Sequence, residues 1–313
     1  MNILILGGTR FQGRFLVQAL LDEHHSVTVF HTGRHTIAPR LGLVDLIGNR
    51  DNPVHLERLF ARNFDVCIDT CAYFPEQVRL ARKFITAAQY CLISTVYVYE
   101  DHDGGLSESH PTIRPVLIKH KTVTPENYAA LKVLCEEEAK ACFGQHSLIV
   151  RPSIIIGPGD HTERMAFWIR LIAKHRKLLS VCEPSKKVQF VDARDLTEFV
   201  VKIVQDAREG PVNVAGDEIE FDEVACELIR LSGHECRTVS VRTDELSAFG
   251  LDKLPYFDSV RKASYNTDLA ESWGFEERAI LASLNDIYRH EQKRGFAINN
   301  FLVQEAAALK LFT

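Results

Sequence analysis

Short apolar runs alternate with stretches of helical spacing through the first half of the chain. NILIL (2–6) precedes a helical pattern over Gln12–Asp22. SVTVF (26–30) and LVDLIG (43–48) follow, then a helix over Pro53–Asn63, the strand DVCID (65–69), a helix over Glu76–Ala88 and the strand YCLIS (90–94). Strands alternating with helices of about 10–15 residues predict a parallel sheet with helices on both faces. The strands are apolar throughout, as strands buried on both faces must be.

After Glu100 the pattern stops. DHDGGLSESHPTIRP (101–115) is polar, with paired glycines and two prolines. A long irregular connection inside a compact domain is either functional or disordered. A helix over Glu126–Phe143 and the strand SLIVRP (147–152) come next. The second half mixes helical patterns (Glu163–His175, Ala193–Gln205, Phe221–Leu231, Glu276–Arg294) with strands at Val188–Val191, Val212–Ala215 and Thr238–Val241. There is no repeat, low-complexity tract or flexible linker. The expectation is an α/β chain: a Rossmann-type, doubly wound parallel sheet over residues 1–160 and a smaller mixed substrate domain over 161–313. Residues 188–215 are expected to return partly to the first sheet.

Composition narrows the function classes. The net charge is −5, from 37 basic and 42 acidic residues, which argues against a general nucleic-acid binder. No apolar run is long enough to span a bilayer, and the first residues lack a secretory pattern, so a cytoplasmic protein is expected. Most of the eight cysteines lie in apolar runs, as free thiols used as small hydrophobes do. Cys67 and Cys71 have no second pair at zinc-like spacing, and no metal is expected.

The first candidate chemistry lies where NILIL meets GGTRFQG (7–13) and a helix. A strand, a glycine turn and a helix N-terminus make an anion site, because free backbone N–H groups and the helix dipole face the ligand. Gly7 and Gly13 stand where a dinucleotide turn needs glycine, for tight turning and close helix–strand packing. Thr9, Arg10, Phe11 and Gln12 complete the turn. At the end of the second strand an acid accepts from a free ribose 2′-hydroxyl, whereas a basic residue suits a 2′-phosphate. Here His31-Thr32-Gly33-Arg34 holds no acid, so NADP is favoured over NAD, with Arg10, His31 and Arg34 converging on that corner.

The second lies in YAALK. Tyr128 and Lys132 are one helical turn apart on one face. A nearby cation favours the phenolate and lowers the tyrosine's pKa, which suits a general acid/base for a hydroxyl–carbonyl interconversion. Ser94 and Thr95, at the end of a buried strand, fall where open α/β sheets bind ligands.

Taken in order, GGTRFQG, STVYVY, YAALK, RPSIIIGPGD and VQFVDARDL resemble the extended short-chain dehydrogenase/reductases, also called the NAD-dependent epimerase/dehydratase family. The resemblance runs from residue 1 to about 215. It implies Tyr128 as the acid/base, Lys132 as the holder of the nicotinamide ribose, and Thr95, with Ser94 beside it, as the residue that orients the substrate. It further implies that Pro152 and Ser153 flank the nicotinamide, that Asn49 and Arg50 lie beside the adenine, and that Cys71, Ala72 and Tyr73 pass beneath the diphosphate. Arg10 replaces the family's middle glycine and Glu100 its usual glycine after the second tyrosine. A GGTRF turn is similar to one branch of the family, which includes bacterial reductase-like proteins and plant chloroplast proteins reported to bind RNA.

Beyond this, His161, Arg164 and Trp168 in GPGDHTERMAFW, and Arg194 in VDARD, are substrate candidates: arginine suits a diphosphate or carboxylate and an aromatic ring can stack on a base. FLVQEAAALKLF (301–312) has an apolar helical period that caps the second domain or meets a second subunit in a homodimer. The expected partner is a small molecule, a nucleotide sugar or related hydroxyl/keto compound. The sequence leaves reductase, epimerase and dehydratase open, and a non-catalytic NADP-binding regulatory or RNA-associated protein is the alternative.

Overall fold

The computed structural model describes residues 1–100, 104–115, 122–182, 187–251, 253–256 and 264–312; much of the 100–125 connection therefore lies outside the described residues. In chain order the first part holds β1 (Asn2–Leu6), α1 (Gln12–Asp22), β2 (Ser26–His31), β3 (Leu43–Ile47), α2 (Pro53–Phe60), β4 (Asn63–Asp69), α3 (Pro75–Phe84), β5 (Thr86–Ile93), β6 (Gly105–Leu106), α4 (Pro125–Phe143) and β7 (Ser147–Pro152). The rest holds β8 (Ile154–Ile156), α5 (Arg164–Ala173), β9 (Lys177–Cys182), β10 (Lys187–Asp192), α6 (Ala193–Gln205), β11 (Gly210–Val214), β12 (Glu218–Glu220), α7 (Phe221–Ser232), β13 (Arg237–Arg242), β14 (Ser264–Tyr265), α8 (Asp268–Ser272), α9 (Ile280–Lys293) and α10 (Leu302–Lys310).

Seven strands pair in the order β11-β7-β5-β4-β1-β2-β3, all parallel. The order reverses at β1, between β2 and β4, and such a reversal opens a crevice at the strand carboxyl ends. Register explains the two buried faces. Ile3 and Ile5 align with Val27, Val29, Val66 and Ile68, and this face packs under α1 and α6 through Leu16, Leu20, Leu196 and Val200. Leu4 and Leu6 turn the other way, toward Leu56, Val78, Ala81 and Cys135 of α2, α3 and α4.

A separate core builds the second half. Phe167, Trp168 and Leu171 of α5, Val224 and Leu228 of α7, and Leu284 and Ile287 of α9 form it. Ala308 of α10 is part of it and Leu309 packs against it, so the C-terminal period covers this domain. Of the segment 188–215, β11 joins the large sheet, while β10 pairs with β8 and β12 in a three-stranded sheet.

Three of the helices that are shorter than their periodicity predicts are cut by tertiary pairing. The helix from Pro53 stops at Phe60, since β4 begins at Asn63. The helix expected over 76–88 stops at Phe84, because Thr86 pairs with Asn63. The helix expected from Glu276 starts at Ile280: Glu277 accepts the Asp217 N–H at 3.0 Å, and Arg278 pairs with Asp195 at 2.5 Å.

Candidate active site

Four parallel strands deliver their carboxyl ends to one cavity of 630 Å³. β1 brings the glycine turn, β4 brings Thr70 and Cys71, β5 brings Ser94 and Thr95, and β7 brings Pro152 and Ser153. Gly7 has φ +96°, which favours glycine. At Gly13 a Cβ would stand 2.7 Å from the Gly8 Cα, backbone that cannot give way. The turn is therefore compressed onto the first turn of α1, with the Gly7 and Gly13 N–H groups donating to the Phe30 and Arg10 carbonyls at 3.0 and 2.9 Å. The buried Gln12 Nε2 has no hydrogen-bond partner among the described residues, and neither has the Ser153 Oγ; both residues line the cavity. A glycine cradle with orphaned donors on its wall fits a dinucleotide.

Tyr128 and Lys132 rise into this cavity from α4. Pro125 opens the helix, and the Asn127 Oδ1 accepts the Thr124 N–H at 2.8 Å, which anchors the turn carrying Tyr128. The Thr95 Oγ1 accepts the Tyr97 N–H at 3.3 Å, and Thr95 favours the Tyr128 phenolate. The electrostatics differ from the sequence expectation. Burial pushes the Tyr128 phenol up to about 12, and Thr95 offsets this only in part. Lys132 is spent elsewhere: its Nζ donates to the Ile93 and Ala72 carbonyls at 2.6 and 2.9 Å and lies 5.6 Å from the Tyr73 ring centroid. Arg164 is the cation that acts on the Tyr128 hydroxyl.

Two buried ion pairs hold the floor. Arg50 is buried and makes two hydrogen bonds of 2.5 Å to Asp69, whose carboxylate also accepts from the Tyr90 hydroxyl at 2.6 Å and the Cys71 N–H at 3.1 Å. Arg50, with Tyr90 and the backbone of Cys71 beside it, holds the Asp69 carboxyl below its usual range despite burial. The second pair is Glu136 with Arg151, at 2.6 Å and 2 % side-chain exposure each. Glu136 also accepts from the Ser94 hydroxyl at 2.5 Å, and Arg151 donates to the Tyr99 hydroxyl at 2.8 Å. Ser94 thus lines the cavity with its hydroxyl committed to support. Glu136 went unnoticed in the sequence although a signal was there: it lies four residues after Lys132, on the same helical face.

Other candidates are placed apart from the cleft. His31 is buried; its Nδ1 accepts the Gly33 N–H, so its Nε2 donates to Asp45 at 2.5 Å. Arg34 and Asn49 are exposed and Ala72 is fully buried, and none of the three is among the described residues that line the cavity. Trp168 packs edge-on against Phe167 and Phe221 in the second core, with 1 % exposure, and so cannot stack on a ligand. Arg194 is held by Asp192 at 2.7 and 2.9 Å and by Asp286 at 2.7 Å. Thr9, Arg10, Phe11, Tyr73, His161 and Arg164 do line the cavity. Arg10 faces the His161 loop: burial lowers the His161 pKa, and Arg10 is the next largest cause.

A second cavity, of 660 Å³, adjoins the first, and the two share Tyr97, Tyr128, Ser153, Ile154 and Arg164. It extends under α4 to Lys187, Gln189, Tyr256 and Tyr265. Tyr97 lies within STVYVY but was not singled out there, and nothing in the spacing around Tyr256 marked it beforehand.

The sequence profile of the NAD dependent epimerase/dehydratase family matches residues 3–215, and the chain belongs to that family. It is 33% identical over 320 residues to the chloroplast stem-loop binding protein of 41 kDa b of Arabidopsis thaliana, covering 94% of this chain and 80% of that one. Among solved structures it resembles dTDP-glucose 4,6-dehydratase from Bacillus anthracis in complex with NAD (TM-score 0.74, 17% identity, 95% of this chain and 100% of that one). It also resembles MoeE5 in complex with UDP-glucuronic acid and NAD (TM-score 0.72, 15% identity, 94% and 100%). At these identities the likeness establishes the fold. No helix among the described residues is long and apolar enough to cross a membrane.

Proposed function

We propose that the chain is an NADP-preferring oxidoreductase acting on a nucleotide sugar or related hydroxyl/keto compound, with Tyr128 as the acid/base. The observation that carries this reading is Tyr128 at the junction of two cavities of ligand size, with Thr95 and Lys132 on the wall of the first. When bound, the nicotinamide cofactor supplies the hydride chemistry. The turn from Gly7 to Gly13 would hold the diphosphate with the Gln12 donor beside it, Ser153 would lie against the nicotinamide, and the third Lys132 N–H, beyond those given to Ile93 and Ala72, would hold the nicotinamide ribose. Arg10, on the cavity wall, favours the extra phosphate of NADP. Because burial keeps Tyr128 protonated at neutral pH, it is set to donate a proton to a substrate oxygen held by Thr95. The solved neighbours in complex with NAD, one of them with UDP-glucuronic acid, support the cofactor and substrate class.

The test is turnover against a panel of nucleotide sugars by wild type and Tyr128→Phe. The variant is expected to lose about 10²–10⁴-fold in rate; unchanged turnover sinks the assignment. A second reading, RNA stem-loop binding on the same fold, is supported by the relative of that name and disfavoured by the acidic net charge of −5. Retardation of a stem-loop RNA at physiological salt, unaffected by NADP, would favour it.

A further inference from the structure

Three residues that lack glycine's freedom hold a positive φ around the first cavity: Phe11 at +41°, Glu163 at +60° and Phe301 at +58°. Such strain persists only where the surrounding structure imposes it, and it gathers at sites that need a fixed shape. Phe11 and Phe301 both line the cavity. Glu163 is 4 % exposed, and its carboxylate accepts the Asn299 and Asn300 N–H groups at 2.7 Å each, 136 and 137 residues along the chain. The Asn300 side chain makes the reverse contact: its Nδ2 donates to the His161 and Thr162 carbonyls at 3.0 and 3.3 Å. His161 stands edge-on to Phe11, with ring centroids 6.3 Å apart. Residues 299–301 are therefore tied to the loop that packs on the glycine turn. Phe301 also packs on Phe167 of the second core, at 5.9 Å between centroids. Ala308 and Leu309 already fix α10 to that core. Docking α10 does not call for a carboxylate buried to hold two backbone N–H groups, which costs desolvation.

Resting on the dinucleotide reading above, we propose that residues 299–301 form a strap that completes the cofactor cavity, with Phe301 in its wall and Glu163 and Asn300 as positioning residues. The strap carries no chemistry. Glu163 sets its path, Asn300 fixes the carbonyls of the loop before α5, and the two together hold the Phe301 ring at the cavity. Contacts that a ligand must break in order to leave act on its dissociation rate more than on its association rate. The strap therefore governs how long the dinucleotide stays. Such coupling is reciprocal, so a bound dinucleotide also holds the strap closed.

Stopped-flow displacement of NADPH, or of NADH if that binds tighter, tests this in wild type, Phe301→Asn, Glu163→Gln and Glu305→Gln. Asparagine tolerates a positive φ, so Phe301→Asn removes the ring and keeps the strap's backbone. Dissociation should speed up about tenfold, with association changed by less than about threefold. Glu163→Gln should speed dissociation roughly threefold to tenfold. Glu305 is the control: it bonds Arg170 and, at 2.8 Å, His175, and is not among the residues lining the cavity. Glu305→Gln should lower Tm and leave dissociation as in wild type. In unsubstituted chain, hydrogen exchange at the Asn299 and Asn300 N–H groups should slow when the dinucleotide is bound. Wild-type dissociation rates in Phe301→Asn and Glu163→Gln, or exchange that the dinucleotide leaves unchanged, overturn the proposal and leave the cofactor reading standing. So does equal acceleration in Glu305→Gln, which would mark general loosening. A wild-type chain that binds neither dinucleotide overturns both.

Discussion

The two cavities that meet at Tyr128 are built differently. The first is made from strand ends and a glycine turn, with its charges locked beneath it in the Arg50–Asp69 and Glu136–Arg151 pairs. The second is made from side chains of scattered elements, and at Tyr256 it leaves a buried hydroxyl with no partner among the described residues. The difference teaches where specificity resides. A backbone cradle recognises a group common to many ligands and needs only glycine and a strand. An unpaired side chain recognises one particular group and is useful only when that group arrives.

Breaking the floor of the first cavity should have the largest effect. Glu136→Ala leaves Arg151 buried and unpaired and releases the Ser94 hydroxyl. The expected loss is about 3–5 kcal/mol of stability by denaturant unfolding. A loss below about 1 kcal/mol, the range of an exposed pair, would mean that the floor is not rigid. Next comes the cradle itself. Gly13→Ala forces a methyl onto the Gly8 backbone, and NADP affinity by calorimetry should fall at least about tenfold, roughly the 1.4 kcal/mol that a strained backbone contact costs. Arg10→Gly is subtler: NADP should weaken more than NAD, by roughly fivefold to tenfold for one exposed charged contact. Equal weakening would put the arginine at the diphosphate instead.

The smallest effect is on protonation. Tyr128 is buried against its own charge and should titrate near pH 12 in the ligand-free protein. The tyrosinate absorbance lost in Tyr128→Phe should therefore appear only at high pH. Its appearance below pH 9 would restore Lys132 as the cation that lowers it. The sign follows from the shift: a raised phenol pKa means the neutral form persists as pH rises, so proton donation survives through neutrality.

The sheet and the cradle were readable in the sequence because both rest on local patterns. Ile3–Leu6 is apolar throughout, and Gly7 and Gly13 sit at either end of a turn. Tyr128 and Lys132 were readable as a helical pair, but their coupling was not. Lys132 was expected to lower the Tyr128 pKa, and it instead donates to carbonyls at Ala72 and Ile93, 60 and 39 residues away. The same limit explains His31, Arg50, Trp168 and Arg194. Each has the chemistry of a ligand contact, and each is claimed by a partner or a core that only the tertiary fold brings near. Tyr256 is the converse case, a residue without a motif that the fold delivers to the site.

The central claim is that the glycine-turn cavity takes the dinucleotide and presents its reactive ring to the junction with the second cavity. A crystal structure of the chain with NADPH tests it most directly. The account predicts the diphosphate against the N–H groups of the Gly7–Gly13 turn and the nicotinamide between Ser153 and Tyr128. A dinucleotide seated elsewhere, or one whose nicotinamide points away from Tyr128, would contradict it.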